Sequence, residues 1–163
     1  MAEALFKLGQ AIREILDEVD DRVLVLATGG MSHYPGTPLY GHVDEAFDKK
    51  VLDILASGKG SKLAEFTPDE LMQSGNGELV NWVITAGICG DVKAHVLDYI
   101  RLWHIGLGYL TGRSAMPNTE PRTEQASGQN AGRSTEQILH PFATEMRHLT
   151  SALNVIAWRV SCQ

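Results

Sequence analysis

A polar stretch, residues 111–137, limits the fold more than any other feature of this sequence. Met116 is its only sizeable apolar side chain, and the rest is rich in Gly, Ser, Thr, Asn, Gln, Pro and charged residues. Such a segment cannot bury enough surface to offset the entropy lost on ordering. We therefore predict a flexible linker over residues 111–137 and a main domain confined to residues 1–110.

Apolar side chains return after this linker at three- and four-residue steps, which is the period of a helix with one apolar face. We predict an amphipathic carboxyl-terminal helix within residues 138–163, helical over 142–160, that docks on the main domain. The residues that define its apolar face are Phe142, Met146, Leu149, Leu153, Ile156 and Val160.

The main domain alternates between helical spacing and short apolar runs, which is typical of an α/β domain with a central sheet flanked by helices. Thr67 followed by Pro68 is a helix start, with a capping hydroxyl and a proline at the first helical position. The predicted helices cover residues 5–19, 44–55 and 67–71, and a further helix begins just past the glycines of the segment 75–86; the predicted strands cover residues 22–27 and 95–103.

Composition excludes several classes of partner and compartment. The 14 Lys and Arg against 20 Asp and Glu give a net charge of −6, and the basic residues form no stripe, so nucleic acid is not an expected partner. No run reaches the ~18 apolar residues of a spanning helix, and no signal peptide is visible, so no membrane association is expected. Cys89 and Cys162 show no CxxC spacing, which favours a reducing, cytoplasmic location.

The loop after the first predicted strand, TGGMSHYPG at residues 28–36, is the first candidate site. Ligands collect at the carboxyl ends of strands in α/β sheets, and His33 is presented there with an imidazole suited to proton transfer near neutral pH. Gly29 and Gly30 would let a substrate approach the backbone. The alternative is that Ser32 and His33 only form hydrogen bonds that close the turn.

Glu78 is the second candidate, because it begins a helix whose following positions are mostly apolar. A carboxylate entering an apolar element needs a partner. That partner is either the amino terminus of its own helix, which favours acidic residues, or a metal ion. Carboxylate and imidazole together suit ferrous iron in the two-histidine, one-carboxylate arrangement, and spacing alone leaves both alternatives open.

TGGMSH at residues 28–33 and GNGELVNWVITAG at residues 75–87, in this order, resemble the carboxyl-terminal half of class III extradiol ring-cleavage dioxygenase catalytic subunits, in the group typified by protocatechuate 4,5-dioxygenase. The resemblance covers roughly residues 5–110. It implies Fe(II)-dependent cleavage of a catecholic ring by dioxygen, with His33 as the catalytic acid and base and Glu78 as a metal ligand. It also implies that Gly29, Gly30 and Ser32 contact the substrate.

One departure from that family accompanies the resemblance. The two histidines that complete the family's iron site belong to its amino-terminal half, which has no counterpart in this sequence. We therefore expect another subunit or a homo-oligomer as partner, and only weak iron binding by the chain alone. The alternatives are a catalytically silent partner-binding subunit and a non-redox binding protein on the same fold. If the chain has the enzymatic function that the resemblance implies, His33 and Glu78 should share one cleft at the carboxyl end of the strand predicted at residues 22–27.

Overall fold

The computed structural model describes residues 1–19, 23–115 and 155–161. Helices and strands form a mixed α/β fold, which confirms the predicted fold class. A short 3-10 helix at Gly60–Glu65 joins two of the helices. The helices are α1 (Ala2–Asp17), α2 (Glu45–Ala56), α3 (Pro68–Gln73) and α4 (Leu79–Cys89), and the strands are β1 (Val23–Thr28), β2 (Ala94–Arg101), β3 (Gly106–Ala115) and β4 (Val155–Ser161).

The four strands form one sheet in the order β1-β4-β3-β2. β1 is antiparallel to β4 from Val23 opposite Val160 to Thr28 opposite Val155. β4 is parallel to β3, and β3 is antiparallel to β2, with an irregularity between Val96 and Asp98. The last strand in the sequence therefore lies between β1 and β3.

This sheet corrects two predictions for the carboxyl-terminal part of the chain. Residues 111–115 continue β3 and are not linker, because their backbone groups pair with β4 up to Ala115 opposite Ser161. Residues 155–161 form β4 and are not helical, because pairing with two neighbouring strands satisfies their backbone. The remainder of the predicted linker and helix, residues 116–154 and 162–163, lies outside the described residues.

Helix α4 lies at the centre of the domain and is buried along most of its length, as its nearly uninterrupted apolar sequence requires. It packs on α1 through Gly9 and Gly87. A Cβ atom on Gly9 would lie 2.1 Å from the Ile84 carbonyl oxygen, and one on Gly87 would lie 2.2 Å from the Phe6 carbonyl oxygen. The two helix backbones therefore touch at this crossing. Trp82 and Val83 continue the core from α4 toward the sheet.

Helix α3 confirms the predicted start signal. The Thr67 hydroxyl accepts from the Glu70 backbone N–H, and the Glu70 carboxylate accepts from the Thr67 backbone N–H, which is a complete capping box. Within the described part of the chain, no helix has the length and apolar character required to cross a membrane.

Candidate functional site

The carboxyl end of β1 is held by side chains of α4. The Asn81 amide donates to the Thr28 carbonyl oxygen at 2.9 Å, and the Trp82 indole N–H donates to the Gly29 carbonyl oxygen at 3.3 Å. The chain then turns into the glycine loop predicted from the sequence. The end of β1 and the beginning of α4 are therefore brought against each other.

Glu78 lies directly before the first residue of α4 and makes no side-chain hydrogen bond that caps its own helix. Its Oε2 instead accepts from the backbone N–H of Gly30 at 2.6 Å, across from a loop 48 residues earlier in the chain. About half of the Glu78 side chain remains exposed. Of the two alternatives that the sequence left open, this geometry disfavours simple capping of the helix terminus.

His33 faces the same carboxylate. Its Nδ1 lies 2.8 Å from the Met31 carbonyl oxygen, and its Nε2 lies 3.5 Å from Glu78 Oε1. Because a carbonyl oxygen only accepts, Nδ1 carries a proton in this contact, and the neutral ring then presents an unprotonated Nε2 toward Glu78. His33 and Glu78 therefore converge beside the carboxyl end of β1, whereas their sharing of a substrate cleft stays a prediction. An imidazole held in this way can take up and return a proton at Nε2.

The backbone of His33 is fixed as well, since its N–H donates to the Gly75 carbonyl oxygen at 3.0 Å. Gly75 has a φ of 69°, and a Cβ atom there would lie 2.7 Å from the His33 carbonyl oxygen. Tyr34 follows into the interior and donates its hydroxyl to the Gln73 carbonyl oxygen. Burial and the nearby negative charges of Asp44 and Asp48 raise the pKa of Tyr34, which keeps this phenol protonated as a donor.

The two glycines of the loop allow close contact between β1 and α4. Gly29 has a φ of 150°, and a Cβ atom there would lie 3.1 Å from the Glu78 carbonyl oxygen and 3.2 Å from the Glu78 Cβ. Gly30 is buried and commits its N–H to the Glu78 carboxylate. The observed effect of both glycines is thus to place Glu78. Whether they also contact a substrate stays a prediction.

Ser32 departs from the expectation that it contacts the substrate. Its side chain is fully buried, and its hydroxyl donates to Asp48 Oδ2 at 2.8 Å while accepting from the Asp44 N–H at 2.8 Å. Both directions of the hydroxyl are therefore used inside the protein. This arrangement corresponds to the alternative of a turn-closing role and speaks against a direct substrate contact.

Asp48 is a polar residue of this region that the sequence analysis missed. It lies on the buried face of α2 with Val51, Leu52 and Leu55, and it is itself fully buried. A carboxylate at helical spacing with three core residues was the available signal, because such a group requires several hydrogen-bond donors. The sequence analysis predicted this helix and gave Asp48 no role.

The metal-ligating side chains of the described residues do not by themselves form a ferrous iron site. Glu78 supplies a single carboxylate with His33 beside it, and no group of three or more His, Cys, Asp or Glu side chains in the described ranges could hold a metal ion. A facial iron site needs three protein ligands. If iron binds next to Glu78, further ligands must come from polypeptide other than the residues described.

Comparisons with known proteins identify the family of this chain. The family model described as the catalytic LigB subunit of aromatic ring-opening dioxygenase matches residues 1–109. Gallate dioxygenase from Pseudomonas putida is 32% identical over 91 residues, which are 53% of this chain and 26% of that protein. The chain therefore spans about a quarter of the length of the curated relative that it matches.

Proposed function

Because the chain belongs to the family of catalytic LigB subunits of aromatic ring-opening dioxygenases, we propose that it forms one side of an extradiol ring-cleavage site for a catecholic substrate. In this proposal His33 is the catalytic acid and base, Glu78 is one ligand to Fe(II), and dioxygen is the second substrate. The proposal includes the group typified by protocatechuate 4,5-dioxygenase, which the motifs at residues 28–33 and 75–87 resemble. The observation that carries the proposal is the closeness of His33 Nε2 to Glu78 Oε1, which are 3.5 Å apart beside the end of β1.

The proposed role of His33 is to move one phenolic proton. With Nδ1–H bonded to the Met31 carbonyl oxygen, the ring is held in the tautomer whose Nε2 accepts a proton. A catechol hydroxyl within hydrogen-bond reach of Nε2 would lose its proton to the ring and regain it later from the same atom. His33 is only slightly exposed, so the proton would be transferred away from bulk water.

The proposed role of Glu78 depends on its two oxygens having different surroundings. Oε2 is held by the Gly30 N–H, which fixes the carboxylate plane, whereas Oε1 faces the His33 ring. A carboxylate fixed in this way is suited to orient a cation or a substrate hydroxyl next to His33. We expect the chain alone to bind Fe(II) weakly, since one carboxylate does not supply the ligands that such a site requires.

The first test uses the purified chain and two measurements. Anaerobic titration with Fe(II) is expected to show weak binding, and NMR titration with gallate and other catechols is expected to shift the resonances of His33 and of the Gly29 and Gly30 amides. Glu78→Gln should weaken the iron response, and His33→Gln should leave it unchanged. Catechol contacts elsewhere on the chain, with no response at His33, would refute the proposed site.

The second test restores the missing ligands. The chain is mixed with a polypeptide that carries the amino-terminal half of a LigB-family subunit, and oxygen uptake with catechols is recorded. Uptake that His33→Gln slows and Glu78→Gln abolishes would support the proposal. Tight stoichiometric Fe(II) binding and rapid ring opening by the chain alone would show that the ligand set assigned here is wrong.

A second candidate function, binding of a partner subunit without catalysis, is favoured by the outer face of the sheet. By the strand register, Leu24, Leu26 and Ile100 lie on one face, and their side chains are 50%, 51% and 39% exposed. Leu24 and Leu26 lie on the same side of β1, and exposed apolar side chains on one face of a sheet are typical of interaction sites. If this function is correct, Leu26→Lys should prevent association with the amino-terminal half, and the associated wild-type protein should take up no oxygen with any catechol.

A further inference from the structure

The buried carboxylate of Asp48 bonds to both chain segments that carry the candidate site. We propose that Asp48 is a positioning residue that sets the spacing and ring orientation of His33 relative to Glu78. Its importance for catalysis rests on the function proposed above, whereas its effect on geometry can be measured independently of activity.

Four donors converge on this carboxylate, two on each oxygen. Oδ1 accepts from the Ser32 N–H at 3.0 Å and from the Asn76 side-chain amide at 3.1 Å. Oδ2 accepts from the Ser32 hydroxyl at 2.8 Å and from the Tyr99 hydroxyl at 2.8 Å. Both oxygens of an ionised carboxylate only accept hydrogen bonds, so together they can accept from four donors. No other side chain of similar size can accept from four donors.

Three of these four donors come from the two segments that carry His33 and Glu78. Ser32 directly precedes His33, and it donates through both its backbone and its side chain. Asn76 lies two residues before Glu78, and its carbonyl oxygen accepts from the Leu79 N–H at the start of α4. The carboxylate therefore joins the His33 loop to the turn that leads into Glu78, with one hydrogen bond to each segment on the same oxygen, Oδ1.

The remaining neighbours prevent the carboxylate from moving. A Cβ atom on Gly106 would lie 2.1 Å from Asp48 Oδ2, so β3 fits against this oxygen only because residue 106 lacks a side chain. The Gly106 N–H donates to the Ser32 carbonyl oxygen, and the Gly106 carbonyl oxygen accepts from the Met31 N–H. The carbonyl oxygen that fixes the His33 tautomer belongs to Met31. The N–H of Met31 donates to Gly106, and the N–H of the next residue, Ser32, donates to Asp48, so the backbone on both sides of this carbonyl is held.

Replacing the carboxylate by an amide keeps its size but turns one of its two acceptor oxygens into an NH2 donor. In Asp48→Asn, an NH2 group faces either the Ser32 and Asn76 N–H donors or the Ser32 and Tyr99 hydroxyls. The Ser32 oxygen has a second lone pair that could accept from an NH2 group, but turning the hydroxyl in this way would take its buried proton away from the carboxylate oxygen that now accepts it. We expect the loop to shift, the Nδ1 contact of His33 to weaken, and the contact between the Gly30 N–H and Glu78 to lengthen.

The test is NMR of the folded full chain at mildly alkaline pH. Long-range proton–nitrogen correlation reports which His33 nitrogen carries the proton, and the amide proton shift of Gly30 reports its bond to Glu78. In the wild type, the Nδ1–H form should predominate. Asp48→Asn should abolish that predominance and move the Gly30 amide proton upfield. Asp53→Asn, an exposed carboxylate on the same helix, is the matched control and should change neither signal.

A second variant keeps the test decisive if Asp48→Asn does not fold. Tyr99→Phe removes a single donor from Oδ2 and should move both signals in the same direction by a smaller amount. A variant of either residue that lowers thermal stability while leaving both signals at their wild-type values would overturn the proposal and leave Asp48 with a structural role only. If both signals move as expected but His33→Gln retains ring cleavage in the mixed assembly, the positioning role stands and the proposed function of His33 fails.

Discussion

Substitution of Gly9 by alanine tests the close approach of α1 and α4. Two effects of opposite sign are expected. An alanine within a helix is favoured over glycine by about 1 kcal/mol. The new methyl group, however, would lie 2.1 Å from the Ile84 carbonyl oxygen and 2.8 Å from the Gly87 Cα, where ordinary contact begins only at 3.4 Å. Both obstacles are backbone atoms, so no side-chain rotation relieves the overlap.

The magnitude follows from moving the helices apart. Separating α1 from α4 by about 1 Å exposes on the order of 100 Å² of apolar surface along their interface, which costs about 2.5 kcal/mol. This value lies within the roughly 1–3 kcal/mol that overpacking a core typically costs. After the gain in helix propensity, Gly9→Ala should lower the free energy of unfolding by about 1.5 kcal/mol, which corresponds to a decrease in Tm of roughly 3–6 °C.

Equilibrium urea unfolding followed by circular dichroism measures this loss. Gly77→Ala is the matched control, because a Cβ atom on Gly77 meets nothing within 4 Å; its effect should stay within about 0.5 kcal/mol. The dependence of the free energy on urea concentration should be equal in all three proteins. A Gly9→Ala protein as stable as the wild type, or more stable, would refute the backbone contact between the two helices.

Three further predictions concern the site and the stability of the fold. Gly29→Ala should displace Glu78, whose carbonyl oxygen and Cβ lie 3.1 and 3.2 Å from the new methyl group, and should be seen as loss of the hydrogen-exchange protection of the Gly30 amide. Thr67→Ala removes a capping box and should cost about 1 kcal/mol in urea unfolding without changing the His33 resonances. Burial raises the pKa of the Cys89 thiol from 9.0 to about 12, so this thiol ionises at lower pH in the unfolded chain than in the folded one. The free energy of unfolding should therefore fall as pH rises from 9.0 toward 12, and it should fall less steeply in Cys89→Ala.

The elements of the main domain were predictable where local chemistry decides the structure. Thr67 and Pro68 mark a helix start by side-chain capping and a fixed φ, and both appear as expected. The run of residues 22–27 was predicted as a strand and forms β1 one residue later. The convergence of His33 and Glu78 was also predictable, although it rested on the family resemblance, since 45 residues separate the two along the chain.

The parts that escaped prediction depend on contacts distant in sequence. Ile156 and Val160 match a helical period with earlier apolar residues, but Val155–Ser161 lies between two strands whose free backbone groups it satisfies. Local periodicity carries no information about those partners. Asp48 escaped for the same reason, because its donors Ser32 and Asn76 lie 16 and 28 residues away and nothing near it in sequence shows them.

The position of β4 has a consequence for how the chain folds during its synthesis. Within the described residues, the strand partner of β1 is β4, which leaves the ribosome more than a hundred residues later. At ordinary rates of translation, β1 therefore waits on the order of ten seconds with its hydrogen-bonding edges unpaired. The family match ends at residue 109, before β4 begins. The strand that leads to His33 thus enters the sheet only after the segment beyond the family match has been made, and a nascent or truncated chain ending before Val155 would present β1 as an aggregation-prone edge.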